Sequence, residues 1–103
     1  MAIHSEQIAT IWAQFNQSSV RDSYNVSSVT DNTTGDYTVN FSSNMSNDDY
    51  CCLVSARRVA GSSEISSSIH TLATGSARVL SLTEASGGNH DTDTYCIGIF
   101  GAA

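Results

Sequence analysis

The strongest structural signal in this 103-residue chain lies in residues 21–41, RDSYNVSSVTDNTTGDYTVNF. Two segments of alternating polarity flank a polar stretch, and a period of two is typical of β-strands. Between them, Asp31, Asn32 and Gly35 favour a tight turn, because Asp and Asn bond their own backbone and glycine adopts a positive φ without strain. We therefore predict a β-hairpin whose second strand turns three side chains to the core, namely Tyr37, Val39 and Phe41.

Alternation marks further strands along the chain. Residues 50–56 carry apolar or small side chains at both parities, so we expect a central strand covered on both faces. Residues 5–16 fit an amphipathic helix, with apolar side chains at i, i+3, i+4 and i+7, and also fit a strand. If that segment supplies a strand, about seven strands separated by polar turns are expected, which predicts a single antiparallel β-sandwich. The other expected strands are 21–29, 37–41, 65–71, 77–82 and 95–100, and residues 84–93 are expected to be irregular.

The composition restricts the classes of function. The chain contains 18 serines, 10 threonines, no lysine and no proline, and 40% of its residues are apolar, which suits one folded domain with hydroxyl-rich outer surfaces. Four arginines against ten carboxylates give a net charge of −6, which repels phosphate backbones, so we expect no nucleic-acid partner. No apolar run is long enough for a membrane span, and the first residues lack the pattern of a signal peptide. We expect assembly in a host cytoplasm and no membrane insertion.

Four segments together resemble a module of tailed-bacteriophage virion proteins, which is usually met at the C-terminal end of trimeric tail fibres. They are Trp12–Asn16, Ser19–Asp31, Gly35–Phe41 and Tyr95–Gly101. The resemblance implies a trimeric, nearly all-β, jelly-roll-like knob and favours a strand over Thr10–Asn16. The expected organisation is an N-terminal arm over residues 1–9 and a sandwich knob over residues 10–103.

The cysteines leave two alternatives. Cys51 and Cys52 are adjacent, so in a strand they face opposite ways, and Cys96 lies far along the chain. They either pack as reduced thiols, in the manner of small apolar side chains, or Cys96 bridges to one of the other two. No Cys-x-x-Cys pair supports a zinc site, and we expect no cofactor.

Two acidic loop segments are candidates for contact with a ligand or cation. The candidate residues are Asp48, Asp49, His90, Asp91 and Asp93. Imidazole and carboxylate groups bind metals, but solvated acidic loops are common, and a bound metal is not expected. The chain has no Gly-x-Ser-x-Gly motif and no segment that marks a catalytic cleft, so we expect no enzymatic activity.

A second group of residues is a candidate for a trimer or docking interface. Its members are Trp12, Arg21, Tyr24, Arg57 and Arg58. The arginines either form salt bridges at the rim of an interface or are solvated, and Trp12 either anchors an interface or fills the core.

The resemblance leads to two expectations for the function. In long fibres the module follows a shaft, whereas Met1 lies about ten residues before it here, so we expect a homotrimeric capsid decoration or cement protein on the virion surface. The expected partners are other copies of itself and virion proteins such as the major capsid protein or tail and baseplate components. The alternative is a short tail fibre or receptor-binding tip that adheres to a host surface glycan.

Overall fold

The strands of this protein form two antiparallel sheets packed face to face, as seen in a computed structural model that describes residues 10–57, 65–83, 92 and 94–102. Sheet A has the strand order β2-β1-β8-β5, and sheet B has the order β3-β4-β7-β6. The predicted all-β antiparallel sandwich is therefore confirmed. The strands are β1 (Ile11–Asn16), β2 (Ser19–Tyr24), β3 (Val26–Thr33), β4 (Asp36–Phe41), β5 (Cys51–Ala56), β6 (Ile65–Leu72), β7 (Ser76–Thr83) and β8 (Tyr95–Phe100).

The hairpin predicted in residues 21–41 is present as β3 and β4. Thr33 pairs with Asp36 across a two-residue turn, and Gly35 in that turn has φ 65°. The second strand turns its apolar side chains to the core as predicted: Tyr37 and Val39 are fully buried and Phe41 is nearly so. Thr38 and Asn40 lie on the opposite face, as the period of two requires.

The first strand of that stretch is not continuous, which corrects the sequence prediction. Asn25 has φ 60°, and there the chain leaves β2 in sheet A and enters β3 in sheet B. Asparagine tolerates this left-handed conformation better than most residues. The bend is held by Ser42 and Ser43, whose backbone N–H groups donate to the Asn25 carbonyl oxygen at 3.0 Å and to its Oδ1 at 3.1 Å. This division of one expected strand into two accounts for the eighth strand.

The helix-or-strand alternative for residues 5–16 is resolved over the described part of that segment. Residues 11–16 form β1, a central strand of sheet A, in which Ile11, Ala13 and Phe15 are buried. Trp12 has the opposite parity and does not fill the core. The N-terminal arm expected over residues 1–9 lies outside the described residues.

Strand β5 is an edge strand of sheet A, whereas the sequence predicted a central strand covered on both faces. Cys52 is buried, but Cys51, Leu53 and Ser55 are exposed on the other face. Much of the surface of folded proteins is apolar, so apolar residues at both parities, Leu53 included, did not require burial on both faces.

The centre of the sandwich is a cluster of three aromatic rings from both sheets. Phe15 and Tyr95 of sheet A stack with ring centroids 5.2 Å apart, and Tyr37 of sheet B lies 4.8 Å from Tyr95 and 5.8 Å from Phe15. The Tyr95 hydroxyl accepts a hydrogen bond from the Thr92 backbone N–H at 2.8 Å. Burial of three large rings stabilises the contact between the sheets and leaves their opposite faces as the two outer surfaces.

Candidate protein-binding face

On the outer face of sheet A, three strands carry large apolar side chains in one line, and the fourth strand has a glycine in that line. The register pairs Trp12 with Tyr24 on one side and with Gly98 on the other, and Gly98 pairs with Leu53. Paired residues in adjacent strands point to the same face. We call this line of residues, in the order Tyr24, Trp12, Gly98 and Leu53, the apolar row.

The apolar row is unusually exposed for residues of this kind. Tyr24 and Leu53 are each 60% exposed, and Trp12 is 39% exposed. These are three of the four large hydrophobic side chains that are exposed in the part of the chain that the structure describes. Phe100 and Cys51, which pair with each other, lie next to the row on the same face. Contiguous apolar surface of this kind marks a site of interaction, whereas scattered apolar residues do not.

Gly98 produces a notch in the middle of the apolar row. If Gly98 carried a Cβ atom, the only heavy atom of the described residues within 4 Å, apart from those of its two chain neighbours, would be Cε1 of Phe100, at 3.8 Å. The notch therefore lies between Trp12 and Leu53, is half-buried, and has the Phe100 ring at its edge. A surface with a large side chain next to a notch can interlock with a second surface of the same shape, because the side chain of each can enter the notch of the other.

Few charges lie on sheet A. Its four strands contain one carboxylate, Asp22, and one cation, Arg21. Arg21 lies where the register between β1 and β2 shifts, and its Nη1 donates to Oγ1 of Thr94 at 2.7 Å. Asp22 is thus the only one of the ten carboxylates in the sequence that belongs to these four strands, and Asp48 and Asp49 lie in the loop before β5.

The outer face of sheet B has a different character, because its polar side chains bond to one another. Asn40 Nδ2 donates to Ser28 Oγ at 3.1 Å and to Thr30 Oγ1 at 3.0 Å. Asn32 Nδ2 donates in the same way to Thr38 Oγ1 at 2.9 Å. These cross-strand bonds satisfy the amide groups within the sheet, which makes this face a poorer candidate for binding than the outer face of sheet A.

An ion pair ends this polar ladder. Arg78 donates to the two carboxylate oxygens of Asp36 from Nε at 2.9 Å and from Nη2 at 2.6 Å, and Asn32 Nδ2 donates to Asp36 Oδ1 at 3.1 Å. The hydrogen bonds from Arg78 hold the pKa of the Asp36 carboxyl below its usual value, although burial opposes the shift. The same contact raises the pKa of Arg78. The geometry is that of a structural, bidentate pair.

The three cysteines are free thiols in two environments. Cys51 and Cys96 are exposed on the outer face of sheet A, whereas Cys52 is buried, and burial raises the pKa of its thiol to about 11. Cys51 pairs with Phe100 and Cys96 pairs with Ser55, so the two exposed thiols lie roughly 13 Å apart along the strands, too far for a disulfide. Cys52 faces the core on the side of the sheet opposite to Cys96, and all three cysteines are free, so the reduced-thiol alternative is the correct one, although only Cys52 is buried.

The structure brings together two of the predicted interface residues, Trp12 and Tyr24, as direct neighbours. Arg21 and Arg57 both bond to Thr94, away from the apolar row. The Arg21 side chain donates to its Oγ1, and the Arg57 backbone N–H donates to its carbonyl oxygen at 2.9 Å. The remaining predicted interface residue, Arg58, lies outside the described residues.

The predicted loop candidates are not brought together. Asp48 and Asp49 are exposed in the loop before β5, where the Asp49 N–H donates to Asn47 Oδ1 at 2.8 Å. Three further candidates, His90, Asp91 and Asp93, lie outside the described residues. Within residues 10–57, 65–83, 92 and 94–102, no three His, Cys, Asp or Glu side chains are grouped so that they could hold a metal ion.

Sequence reasoning missed half of the apolar row, Gly98 and Leu53. The available signal was parity, since Leu53 alternates with buried Cys52 and Gly98 with buried Ile97 and Ile99. That signal identifies an outer face but not which strands share it.

Comparison with known proteins adds no relative: no family model, no curated protein and no solved structure matches the chain. In the described part of the chain, no helix is long and apolar enough to cross a membrane. The outer face of sheet A is therefore the candidate functional surface on its own physical merits.

Proposed function

We propose that this protein is a structural component of a bacteriophage virion, a homotrimeric capsid decoration protein that stabilises the particle by binding to itself and to the major capsid protein. The observation that carries the proposal is the apolar row on the outer face of sheet A, which gives the sandwich an adhesive face of its own. The resemblance of residues 12–41 and 95–101 to phage virion modules supplies the biological setting.

Decoration suits the physical properties of this surface. A decoration protein acts mechanically, through many identical contacts whose modest free energies add by avidity. A small sandwich with one apolar and one polar outer face can bind neighbouring proteins through the apolar face while the polar face meets solvent. The hydrogen-bonded ladder of Asn40, Ser28 and Thr30 suits a face that meets solvent.

A receptor-binding tip of a tail fibre is the second candidate. It is favoured by one observation, the adjacent pair of exposed aromatic side chains, Trp12 and Tyr24. Trp and Tyr side chains combine an apolar ring with a polar N–H or O–H group, which suits contact with amphipathic ligands, and a host surface glycan is such a ligand.

The test is the number of copies in each particle. Phage particles are purified from a culture that produces the protein, and the chain is quantified against the major capsid protein by mass spectrometry. A copy number in the hundreds is expected for decoration, and one of a few dozen or fewer would favour the fibre tip. Absence of the chain from the particles would contradict both candidates.

A further inference from the structure

We propose that the apolar row is the contact between copies of this chain, in which Trp12 of one copy packs over the Gly98 notch of the next and Tyr24 packs against Leu53. This inference rests on the part of the proposed function that concerns self-association, and it does not depend on the virion setting.

The first reason for choosing a second copy as the occupant is charge. Each copy has a net charge of −6, so two copies repel unless they meet where charge is sparse. The outer face of sheet A provides such a place, because Asp22 is the only carboxylate in its four strands.

The second reason is shape. In the sheet order β2-β1-β8-β5, the bulky residues Tyr24 and Trp12 occupy one half of the row, and Gly98 and Leu53 occupy the other. A rotation axis parallel to the strands keeps the row at one height in every copy and brings β2 and β1 of one copy against β5 and β8 of the next. Trp12 then faces Gly98, and Tyr24 faces Leu53. In a two-fold pair the whole row meets one partner, whereas in a closed three-fold ring each half of the row meets a different neighbour; both arrangements oppose the same residues, so the contact is compatible with the proposed homotrimer.

The size of the face sets the expected strength of the contact. Four strands of six residues cover about 19 by 20 Å, or roughly 400 Å² in projection for each copy and about 800 Å² for two. Stable interfaces bury about 1,200–2,000 Å² in total, so this face suits a weak, concentration-dependent association.

The experiment compares the molar mass of variants by light scattering over a range of concentrations. Wild type is expected to associate at micromolar concentration. Trp12→Ser removes the side chain that enters the notch and should raise the dissociation constant by at least about tenfold. Gly98→Val is the sharper variant: it adds apolar surface and suits a strand, yet it fills the notch and should also weaken association at least about tenfold.

One control and one fallback variant make the result specific. Ile69→Ser removes a similarly exposed apolar side chain from sheet B and should leave association unchanged. If Gly98→Val does not fold, Gly98→Ala replaces it as the variant that fills the notch, since a Cβ atom at this position makes only an ordinary contact with Phe100. Thermal melts of each variant verify that it is folded.

Alkylation of the native thiols gives an independent readout. Cys51 and Cys96 lie on the same face as the apolar row, so both should react more slowly in the associated protein than after dilution. In the Trp12→Ser variant, the alkylation rate of each thiol should be unchanged by dilution.

Three results would overturn the inference: a wild-type protein that stays monomeric, a Gly98→Val variant that associates as well as wild type, or thiols whose rates do not change with association. A monomer that is nevertheless present on particles would leave the virion proposal standing, with the apolar row bound to a different protein. If the chain associates with itself but is absent from particles, the contact between copies stands and the virion proposal fails.

Discussion

Ser81 is buried in the core, with only 1% of its surface exposed, and its hydroxyl has no hydrogen-bond partner among the described residues. Its backbone N–H is satisfied, because it donates to the Gly35 carbonyl oxygen at 2.8 Å. A buried hydroxyl without a partner destabilises the folded state. Ser81→Ala should therefore leave the free energy of unfolding unchanged or raise it by up to about 1 kcal/mol, as measured by urea unfolding.

The matched control for Ser81 is the reverse substitution at another inward position of the same strand. Ala77 is fully buried, and Ala77→Ser adds a hydroxyl to the same core, which should cost about 1–3 kcal/mol. If Ser81→Ala were as destabilising as Ala77→Ser, the Ser81 hydroxyl would have a partner in solution.

Gly35 has φ 65° in the turn of the β3–β4 hairpin. A β-branched side chain is strained in this conformation, so Gly35→Val should lower the free energy of unfolding by about 1–2 kcal/mol. Gly35→Asn is the matched control and should cost less, because asparagine tolerates a positive φ. Equal melting temperatures for the two variants would contradict a positive φ at this position.

Asp36 gives the protein an acid-sensitive contact. Its pKa is lowered in the folded state, chiefly by the hydrogen bonds from Arg78. The stabilisation is therefore fully present above the pKa of the unfolded chain, about 3.9, and is lost as the pH falls through the lower folded-state pKa. Asp36→Asn should reduce stability at pH 7 and flatten the fall in melting temperature below about pH 4.

Arg78→Gln tests the same contact from the other side, since it removes the cation that lowers the pKa of Asp36. It should reproduce the flattening. A melting profile as steep in both variants as in wild type would show that the acid sensitivity arises at other carboxylates.

At the level of the strands, two glycines at the end of the chain have opposite roles. A Cβ at Gly101 would lie 2.9 Å from Cβ of Tyr50 and 3.3 Å from Cε of Met45, both of which are buried. Gly101→Ala should therefore force the backbone apart and cost about 1–3 kcal/mol in urea unfolding. Gly98→Ala, the same substitution within β8, should change stability little, because it meets only the Phe100 ring. Equal costs for the two would contradict the close packing at Gly101.

Sequence patterns predicted the strands whose alternation is enforced by burial. Residues 37–41 and 95–99 alternate because every second side chain enters the core, and both strands are present as predicted. The break at Asn25 was not predicted, since a residue that changes sheets differs from one within a strand only in its backbone conformation. The edge position of β5 was missed for a related reason, because strand order is set by the packing of the whole chain.

The candidate site was predicted in part. Trp12 and Tyr24 were named because aromatic residues are common at interfaces, with core filling left open for Trp12, and they lie on strands that adjoin in sequence. Gly98 and Leu53 join them only through the pairing of β8 with β1 and β5. Such long-range register is not encoded in any local pattern, so half of the apolar row was beyond sequence reasoning.

On the scale of the whole molecule, the pairing of β1 with β8 has a consequence for how the protein folds. Ile11 pairs with Ile99, and the Thr10 N–H donates to the Ile99 carbonyl oxygen at 2.8 Å. These partners are separated by roughly 90 positions, and closing so long a loop is slow compared with forming a hairpin. During synthesis on the ribosome, β3 can pair with β4 and β6 with β7 as soon as each hairpin emerges, so sheet B can begin to form early. The centre of sheet A must wait for residues 95–100, and until then the nascent chain exposes the inner face of β1 to chaperones and to aggregation.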